Sequence, residues 1–221
     1  LKVSDAEFPR AELEAAGWRA AVHGQKTYNG VAVLARTEPE DVRIGLGDDV
    51  DDPEARLIAA TVQGVRVISA YVPNGKVVGS DKWVYKLAWL QRLGAHLARH
   101  YTPEQPLALC GDFNVAPEDQ DVAFVDKWRD SVLCHEVARE RLREIVAWGL
   151  RDAIRMHHSD VGPFTWWDYR MLGFAKGNGL RIDHILMTPP LAARCTGASV
   201  DRDERKGKLP SDHAPVVADF T

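Results

Sequence analysis

The sequence has 221 residues, of which 45% are apolar and 27% are charged, a balance typical of a soluble globular protein. No apolar run approaches the roughly 20 residues that a membrane-spanning helix needs, so we expect no membrane partner. The 28 basic and 32 acidic residues give a net charge of −4, which excludes a strongly basic chain but not a basic surface patch. Three widely spaced cysteines predict a reduced, cytoplasmic protein rather than a disulfide framework.

The first third of the chain alternates short strand patterns with turns. A helix is predicted from Ser4 to Ala16, and the acidic segment 37–53 is predicted to be an exposed loop. The dipeptide Gln63-Gly64 is typical of a hairpin turn. Short strands are predicted at four positions: 18–23, 30–35, 57–62 and 65–72.

The rest of the chain carries the strongest helical pattern. Helices are predicted at 80–101 and 136–148, and the first has a stripe of apolar residues at helical spacing. The stripe consists of Val84, Leu87, Leu90, Leu93 and Leu97. Further strands are predicted at 107–110, 182–187, 198–201 and 216–220. Interspersed strands and helices without a linker or repeat predict one mixed α/β domain over residues 1–221.

The segment Pro106–Asn114 combines a buried strand pattern with polar residues at its end. Asp112 and Asn114 follow Gly111, and their spacing of two places both side chains on one face of extended backbone. Polar groups at the carboxyl end of a buried strand are common in the active sites of α/β proteins. An Asx-turn is an equally good interpretation of these residues taken alone.

Three further positions place a polar residue beside a strand pattern: Tyr71, Asp183 and the pair Asp212-His213. Each has a structural alternative, since Asp183 could pair with Arg181 and the others could be turn, surface or core residues. Together they fit phosphodiester hydrolysis, which needs a base, donors for the phosphoryl oxygens and a cation.

In that hypothesis each polar residue has a chemical task. Asp112 activates water and Asn114 is a donor that cannot ionise, while Asp183 orients His213 at the phosphoryl group. Asp212 supplies a hard oxygen ligand that suits Mg²⁺ or Mn²⁺. The aromatic segment 164–170 could stack on bases or form a pocket for an extruded sugar, although core packing is the alternative for its tryptophans.

Five motifs in order carry a family resemblance. The chain resembles bacterial exonuclease III, the class II abasic-site endonuclease of the endonuclease/exonuclease/phosphatase superfamily. The motifs are Tyr-Val-Pro-Asn-Gly (71–75), Gly-Asp-Phe-Asn (111–114), Trp-Trp-Asp-Tyr-Arg (166–170), Leu-Arg-Ile-Asp (180–183) and Ser-Asp-His-Ala-Pro (211–215).

The resemblance implies a four-layer α/β/β/α sandwich and a metal-dependent DNA-repair enzyme. Its expected activities are incision 5′ to abasic sites, 3′→5′ exonuclease action and cleaning of blocked 3′ ends of duplex DNA, by a cytoplasmic monomer with Mg²⁺ or Mn²⁺. The implied catalytic residues are Tyr71, Asp112, Asn114, Asp183 and His213. The implied metal site consists of Asp112, Asn114, Asp212 and His213. The implied contacts to DNA and the abasic sugar are Asn74, Lys76, Trp166, Tyr169, Arg170, Leu180 and Ile182.

One departure from the family pattern concerns the start of the chain. The family begins with a Phe-Asn-Ile-Asn-Gly-type strand and a Gln-Glu pair whose glutamate binds metal, and Leu1 matches a position just after that pair. We therefore expect an N-terminally truncated piece that lacks inner strands, binds metal weakly and is not an active nuclease, whereas the full-length protein is one. Two alternative functions remain open here, a phosphoinositide or sphingolipid phosphodiesterase and a non-catalytic DNA-binding remnant.

Overall fold

The computed structural model describes residues 1–221, apart from the side chain of Met171. The strands are β1 (Arg19–His23), β2 (Val31–Ala35), β3 (Glu40–Ile44), β4 (Leu57–Val62), β5 (Val65–Tyr71), β6 (Leu107–Asp112), β7 (Arg151–Asp152), β8 (Asp183–Met187), β9 (Cys195–Val200) and β10 (Val216–Phe220). The α-helices are α1 (Arg10–Ala15), α2 (Asp81–His100), α3 (Val125–Trp128), α4 (Glu136–Ala147), α5 (Ala153–His157) and α6 (Pro189–Ala192).

A six-stranded sheet in the order β3-β4-β5-β6-β8-β7 forms the centre of the fold. The β5–β6 pair is parallel, and the other pairs of this sheet are antiparallel. A parallel neighbour requires a crossover connection, and the 20-residue helix α2 provides it. This connection brings the carboxyl ends of β5 and β6 to the same edge of the sheet.

Each face of the large sheet is covered by a different layer. Helices α2 and α4 cover one face, where Trp89, Leu93 and Leu109 lie in the largest apolar cluster. On the opposite face, the β1–β2 hairpin packs on β4 and β5, and the β9–β10 hairpin packs near β8. The predicted mixed α/β fold is confirmed. The predicted loss of strands concerns sequence upstream of Leu1 and stays a prediction.

Helix α2 begins where the sequence predicts, but its buried face differs. The Ser80 hydroxyl accepts the Trp83 backbone N–H, which caps the first turn. Val84 is 61% exposed, so its assignment to the buried stripe is wrong. The buried stripe runs instead through Trp83, Lys86 and Trp89 before Leu90, and a lysine therefore lies inside the core.

Two other local predictions need correction. The segment 37–53 is not entirely loop, because Glu40–Ile44 pairs with β4 as an exposed edge strand. Its side chains are all exposed, so the sequence lacks the apolar alternation that indicates a strand. Strand β6 also continues through Gly111 to Asp112, which places the aspartate within the sheet. None of the helices that the structure describes is long and apolar enough to cross a membrane.

Candidate active site

Three polar side chains from adjacent strands lie in one row across the edge of the large sheet. Tyr71 of β5 is the register partner of Asp112 on β6, and Asp112 is the partner of Asp183 on β8. Strand pairing holds neighbouring residues about 5 Å apart, so the register itself assembles the row. The topology thus places residues that are 41 and 71 positions apart in the chain beside each other.

Asn114 holds the Asp112 carboxylate from two sides. Its backbone N–H donates to Asp112 Oδ1 at 2.8 Å, and its Nδ2 donates to Asp112 Oδ2 at 3.0 Å. The first bond is an Asx-turn, so the structural alternative and the chemical hypothesis describe the same contact. Asn114 Oδ1 accepts from Asn74 Nδ2, and Asn114 Nδ2 also donates to the Val72 carbonyl. Because its amide is fully engaged, Asn114 orients Asp112, and direct contact with a phosphoryl oxygen stays a prediction.

The Asp112 carboxyl has the charge properties of a base that works near neutral pH. Burial, reinforced by the charge of Asp183, raises the pKa of Asp112 to about 7. Nearby His213 and Lys86 oppose that rise, because their positive charges favour the carboxylate. A base is most effective when its pKa lies near the working pH, and Asp112 meets that condition.

His213 and Asp183 form a carboxylate–histidine pair beside Asp112. His213 Nδ1 lies 2.8 and 3.0 Å from the two Asp183 oxygens, so Nδ1 carries the proton and donates it. The Thr165 hydroxyl accepts the backbone N–H groups of Ile182 and Asp183, which fixes the start of β8. Burial lowers the pKa of His213, but the Asp183 hydrogen bond and charge outweigh it and raise this pKa to about 9.

Tyr71 lies at the other end of the row as a neutral phenol. Burial and the Asp112 charge raise its pKa, which keeps the hydroxyl proton available for donation. The Arg56 guanidinium lies 5.0 Å from the Tyr71 ring centroid and donates to the Tyr71 carbonyl at 3.0 Å. Arg56, which directly precedes β4, therefore contacts both the ring and the backbone of Tyr71.

A cavity of about 570 Å³ opens in front of Tyr71 and Asp112. Trp166 forms one wall, and its Nε1 donates to Asp212 Oδ2 at 2.9 Å. Trp128 forms a second aromatic wall, with its ring centroid 5.7 Å from that of Trp166. Predicted residues that line the cavity are Tyr71, Asn74, Lys76, Asp112, Asn114, Trp166, Arg170, Ile182, Asp212 and His213.

Two of the predicted pocket residues lie elsewhere. Leu180 is completely buried and pairs through its backbone with Trp166, so it supports the cavity wall without lining it. Tyr169 is 60% exposed, and its hydroxyl donates to the Pro210 carbonyl. Arg170 is exposed but paired with Asp168 at 2.9 Å, which partly neutralises the cationic rim that it forms with Lys76. Contacts of these residues with DNA stay predictions.

Three acidic and histidine side chains form a group that could hold a metal ion, and two of them, Asp112 and His213, belong to the predicted set. Asp112, Asp183 and His213 each offer a ligand atom within 4.8 Å of the others. Asn114 Oδ1 accepts from Asn74 and Asp212 Oδ2 accepts from Trp166, and metal binding by Asn114 and Asp212 stays a prediction. Two carboxylates suit a hard divalent cation, whereas His213 already uses Nδ1 for Asp183. The donor chemistry of the two carboxylates therefore fits Mg²⁺ or Mn²⁺.

Sequence and structure comparisons decide the family. The profile of the endonuclease/exonuclease/phosphatase family matches residues 1–213. The chain belongs to this family. Exodeoxyribonuclease III of Haemophilus influenzae is 34% identical over the whole chain and 87% of its own length.

Two solved structures resemble the chain in both fold and sequence. An AP endonuclease from Archaeoglobus fulgidus has a TM-score of 0.96 and 41% identity, covering 99% of this chain and 85% of its own. The 3′ phosphatase NExo from Neisseria, bound to a product DNA hairpin, has a TM-score of 0.95 and 42% identity. That match covers 100% of this chain and 86% of the Neisseria protein. The resemblance to exonuclease III is thereby confirmed.

Arg181 of this family member pairs with two other acids and not with Asp183. Its guanidinium, which is completely buried, lies 2.6 Å from Asp121 and 2.7 Å from Asp152. Arg181 also donates to His184 Nδ1 at 3.0 Å, so His184 Nε2 carries the proton that the Val115 carbonyl accepts. The structural alternative for Asp183, an ion pair with Arg181, is therefore wrong. Through His184, the network contacts the backbone at Val115, just after Asn114.

Gly111 allows the family's Gly-Asp-Phe-Asn segment to approach β5. Its φ is +138°, and a Cβ at this position would lie 1.9 Å from the Ala70 carbonyl oxygen. We expect Gly111→Ala to cost on the order of 3 kcal/mol or more in the free energy of unfolding, because backbone must move.

Gly94 in α2 offers the matched control for that substitution. A Cβ there meets Ile145 at an ordinary 3.6 Å, so Gly94→Ala should add about 0.5–1 kcal/mol through helix propensity. Urea unfolding of both variants measures the two effects, and equal stabilities would contradict this account of Gly111.

Trp128 and Lys86 are the site residues that sequence reasoning missed. Trp128 follows a mixed segment without periodicity, and its wall position depends on a hydrogen bond to Asn178 that joins distant parts of the chain. Lys86 did carry a signal, because it occurs at helical spacing between Trp83 and Leu90. A lysine within an apolar stripe indicates a buried charge with dedicated partners.

Proposed function

We propose that this protein is a DNA-repair phosphodiesterase that cuts duplex DNA 5′ to abasic sites and removes blocking groups and nucleotides from 3′ ends. The observation that carries the proposal is the row of Tyr71, Asp112 and Asp183 across three strands, completed by His213 on Asp183. This group offers a base (Asp112), a positively charged side chain (His213) and a neutral donor (Tyr71) around one phosphoryl group. Phosphodiester hydrolysis requires these functions.

Asp112, His213 and Tyr71 each have a separate role in the proposed reaction. Asp112, oriented by Asn114, accepts the proton of the attacking water. His213 is protonated below about pH 9 and presents its positive charge to the phosphoryl oxygens, while Asp183 holds the ring in place. The Tyr71 hydroxyl stays protonated and can donate to the phosphate. Each contribution favours the charge that develops in the transition state.

A divalent cation, Mg²⁺ or Mn²⁺, completes the proposed site. Asp112 and Asp183 would hold it through carboxylate oxygens. When bound, the cation supplies positive charge that stabilises the phosphoryl group and its leaving oxygen.

Several observations support DNA over a lipid as substrate. The similar structures at 41% and 42% identity are an AP endonuclease and a 3′ phosphatase bound to a DNA hairpin. The two aromatic walls formed by Trp128 and Trp166 suit a flat or extruded nucleotide component. We propose a cytoplasmic monomer that binds duplex DNA through Lys76, Arg170 and the aromatic segment.

The test uses the protein with any residues that its gene encodes upstream of Leu1. It is assayed on a duplex with one abasic site, an intact duplex and a duplex with a 3′-phosphate, each with Mg²⁺ or with EDTA. We expect Mg²⁺-dependent cleavage 5′ to the abasic site, release of the 3′-phosphate, and no reaction in EDTA. Vesicles of phosphoinositide and of sphingomyelin are the substrates that test the lipid alternatives.

The competing functions give different results in this assay. Lipid hydrolysis without DNA cleavage would contradict the proposal and support the lipid phosphodiesterases. DNA binding without cleavage at any metal concentration would support a non-catalytic remnant. DNA affinity should fall steeply as salt rises, because phosphate contacts release counterions, and a flat salt dependence also contradicts the proposal.

A further inference from the structure

Lys86 places a positive charge inside the core beneath the active site. Its side chain is completely buried in the inner face of α2. Its Nζ lies 2.7 Å from the carbonyl oxygen of Asn114, 2.6 Å from that of Val132 and 3.2 Å from that of Asn74. A buried ammonium normally costs several kcal/mol of solvation unless hydrogen bonds replace the lost water, and these three carbonyls do so.

The three acceptors select the charged form of Lys86. An ammonium has three N–H donors, whereas a neutral amine has two and a lone pair that would face one carbonyl oxygen. Burial lowers the pKa of Lys86 to about 7, and the nearby Asp112 charge opposes that change. The carbonyl contacts act in the same direction as Asp112.

The three carbonyls belong to three separate loops that line the active-site cavity. Asn74 lies after β5, Asn114 lies after β6 and Val132 lies before α4. A single side chain therefore ties together all three segments. Lys86 also packs closely under the first loop, because a Cβ on Gly75 would lie 2.9 Å from Lys86 Cδ.

Asn114 is the anchored residue that contacts Asp112. Its φ is +50°, in the left-handed region, which asparagine adopts more readily than most residues with a Cβ. In this conformation its N–H and Nδ2 reach the two Asp112 oxygens. Lys86 fixes the Asn114 carbonyl on the opposite side of the residue.

We propose that Lys86 is a positioning residue of the active site, whose buried ammonium holds the Asn114 backbone and thereby aims the Asp112 carboxylate. The proposal rests on the proposed function, in which Asp112 acts as the base. Because Lys86 is enclosed, it contacts no substrate, and its effect must reach the reaction through Asn114.

Lys86→Met keeps the length and apolar stem of the side chain and removes the ammonium. We expect kcat on the abasic duplex to fall about 30-fold or more, with KM changed less than about threefold, since the substrate contacts remain. Lys86→Arg restores a charge and several donors and should recover kcat to within about tenfold of the unaltered protein. Leu97→Ala is the matched control, because it removes a fully buried side chain from the same helix, far from the cavity.

A second measurement on the unaltered protein keeps the proposal testable if Lys86→Met does not fold. Protein labelled with ¹⁵N-lysine should give an ammonium signal with three protons that exchange slowly with water. This signal should be absent from Lys86→Arg, which identifies it. The measurement needs no enzymatic activity, so it separates failure of this proposal from failure of the proposed function.

Each possible result of these experiments either overturns or supports the positioning role of Lys86. A Lys86→Met protein with kcat within threefold of the unaltered protein overturns the positioning role. Equal losses of kcat in Lys86→Met and Leu97→Ala also overturn it, because both would then reflect lost stability alone. A lysine signal that shows no protection from solvent contradicts the buried ammonium itself. A selective kcat loss that Lys86→Arg reverses, together with a protected signal, supports the proposal.

Discussion

Asp112→Asn is expected to lower kcat on the abasic duplex by about 10²–10⁴-fold while leaving DNA affinity unchanged or slightly stronger. The amide cannot accept a proton from water, and it removes a negative charge that repels the phosphate. Burial raises the pKa of Asp112 to about 7, and a bound cation would lower it. In the unaltered protein, kcat should therefore fall at a pH below about 7, where the ionised base is lost. Single-turnover rates and fluorescence anisotropy measure the two quantities separately.

Asp126→Asn is the control for that substitution. It makes the same chemical change and the same change of charge at a carboxylate with a fully exposed side chain on α3. Both kcat and DNA affinity should stay within about twofold of the unaltered protein, as for most exposed substitutions. An Asp112→Asn enzyme that turns over at the normal rate would refute the role of Asp112 as the base.

The sequence predicts most strands and helices because their patterns are local. The turn at Gln63-Gly64 and the cap at Ser80 are read from a few adjacent residues, and both occur where expected. Strand β3 was missed because an exposed edge strand has no buried face to produce alternation. Its position depends on pairing with β4, which is information held in another part of the chain.

In the candidate site, too, contacts between neighbouring residues are predictable from the sequence and contacts between distant residues are not. The Asp112–Asn114 contact follows from a spacing of two, so the sequence alone predicts it. The sequence does not reveal that Asn114 and Asp212 accept hydrogen bonds from side chains that lie 40 and 46 positions away. No pattern within a motif reveals which oxygens such distant donors will occupy.

The buried polar groups show why active-site geometry and stability are linked in this fold. Lys86, Arg181 and His184 are all buried; Lys86 donates to the Asn114 carbonyl and His184 to the Val115 carbonyl, just after β6. Their hydrogen bonds replace water around groups that would otherwise be costly to bury. Apolar packing forms the core, and these hydrogen bonds position the backbone at the ends of β5, β6 and β8.

Asp183→Asn should reduce kcat by about 10³–10⁴-fold, the range found when an orienting carboxylate loses its charge. The substitution keeps an oxygen acceptor for His213 Nδ1 but removes the charge of Asp183. The Asp183 hydrogen bond and charge, with the charges of Asp112 and Asp212, raise the pKa of His213 from 6.5 to about 9. We therefore expect the alkaline limb of the pH–rate profile to move from about 9 toward 6.5, because His213 must be protonated to contact the phosphoryl oxygens.

Stability and a control variant give independent checks on the Asp183–His213 pair. Since the folded-state pKa of His213 lies above its ordinary value, the pair's contribution to stability is complete below pH 6.5 and is lost as pH rises through about 9. Thermal unfolding between pH 6 and 10, in EDTA, should show this loss in the unaltered protein but not in Asp183→Asn. Asp203→Asn changes an exposed carboxylate in the loop before His213 and should leave both pH profiles unchanged. If the alkaline limb stays at pH 9 in Asp183→Asn, another group controls it, and His213 does not act as the cation of the site.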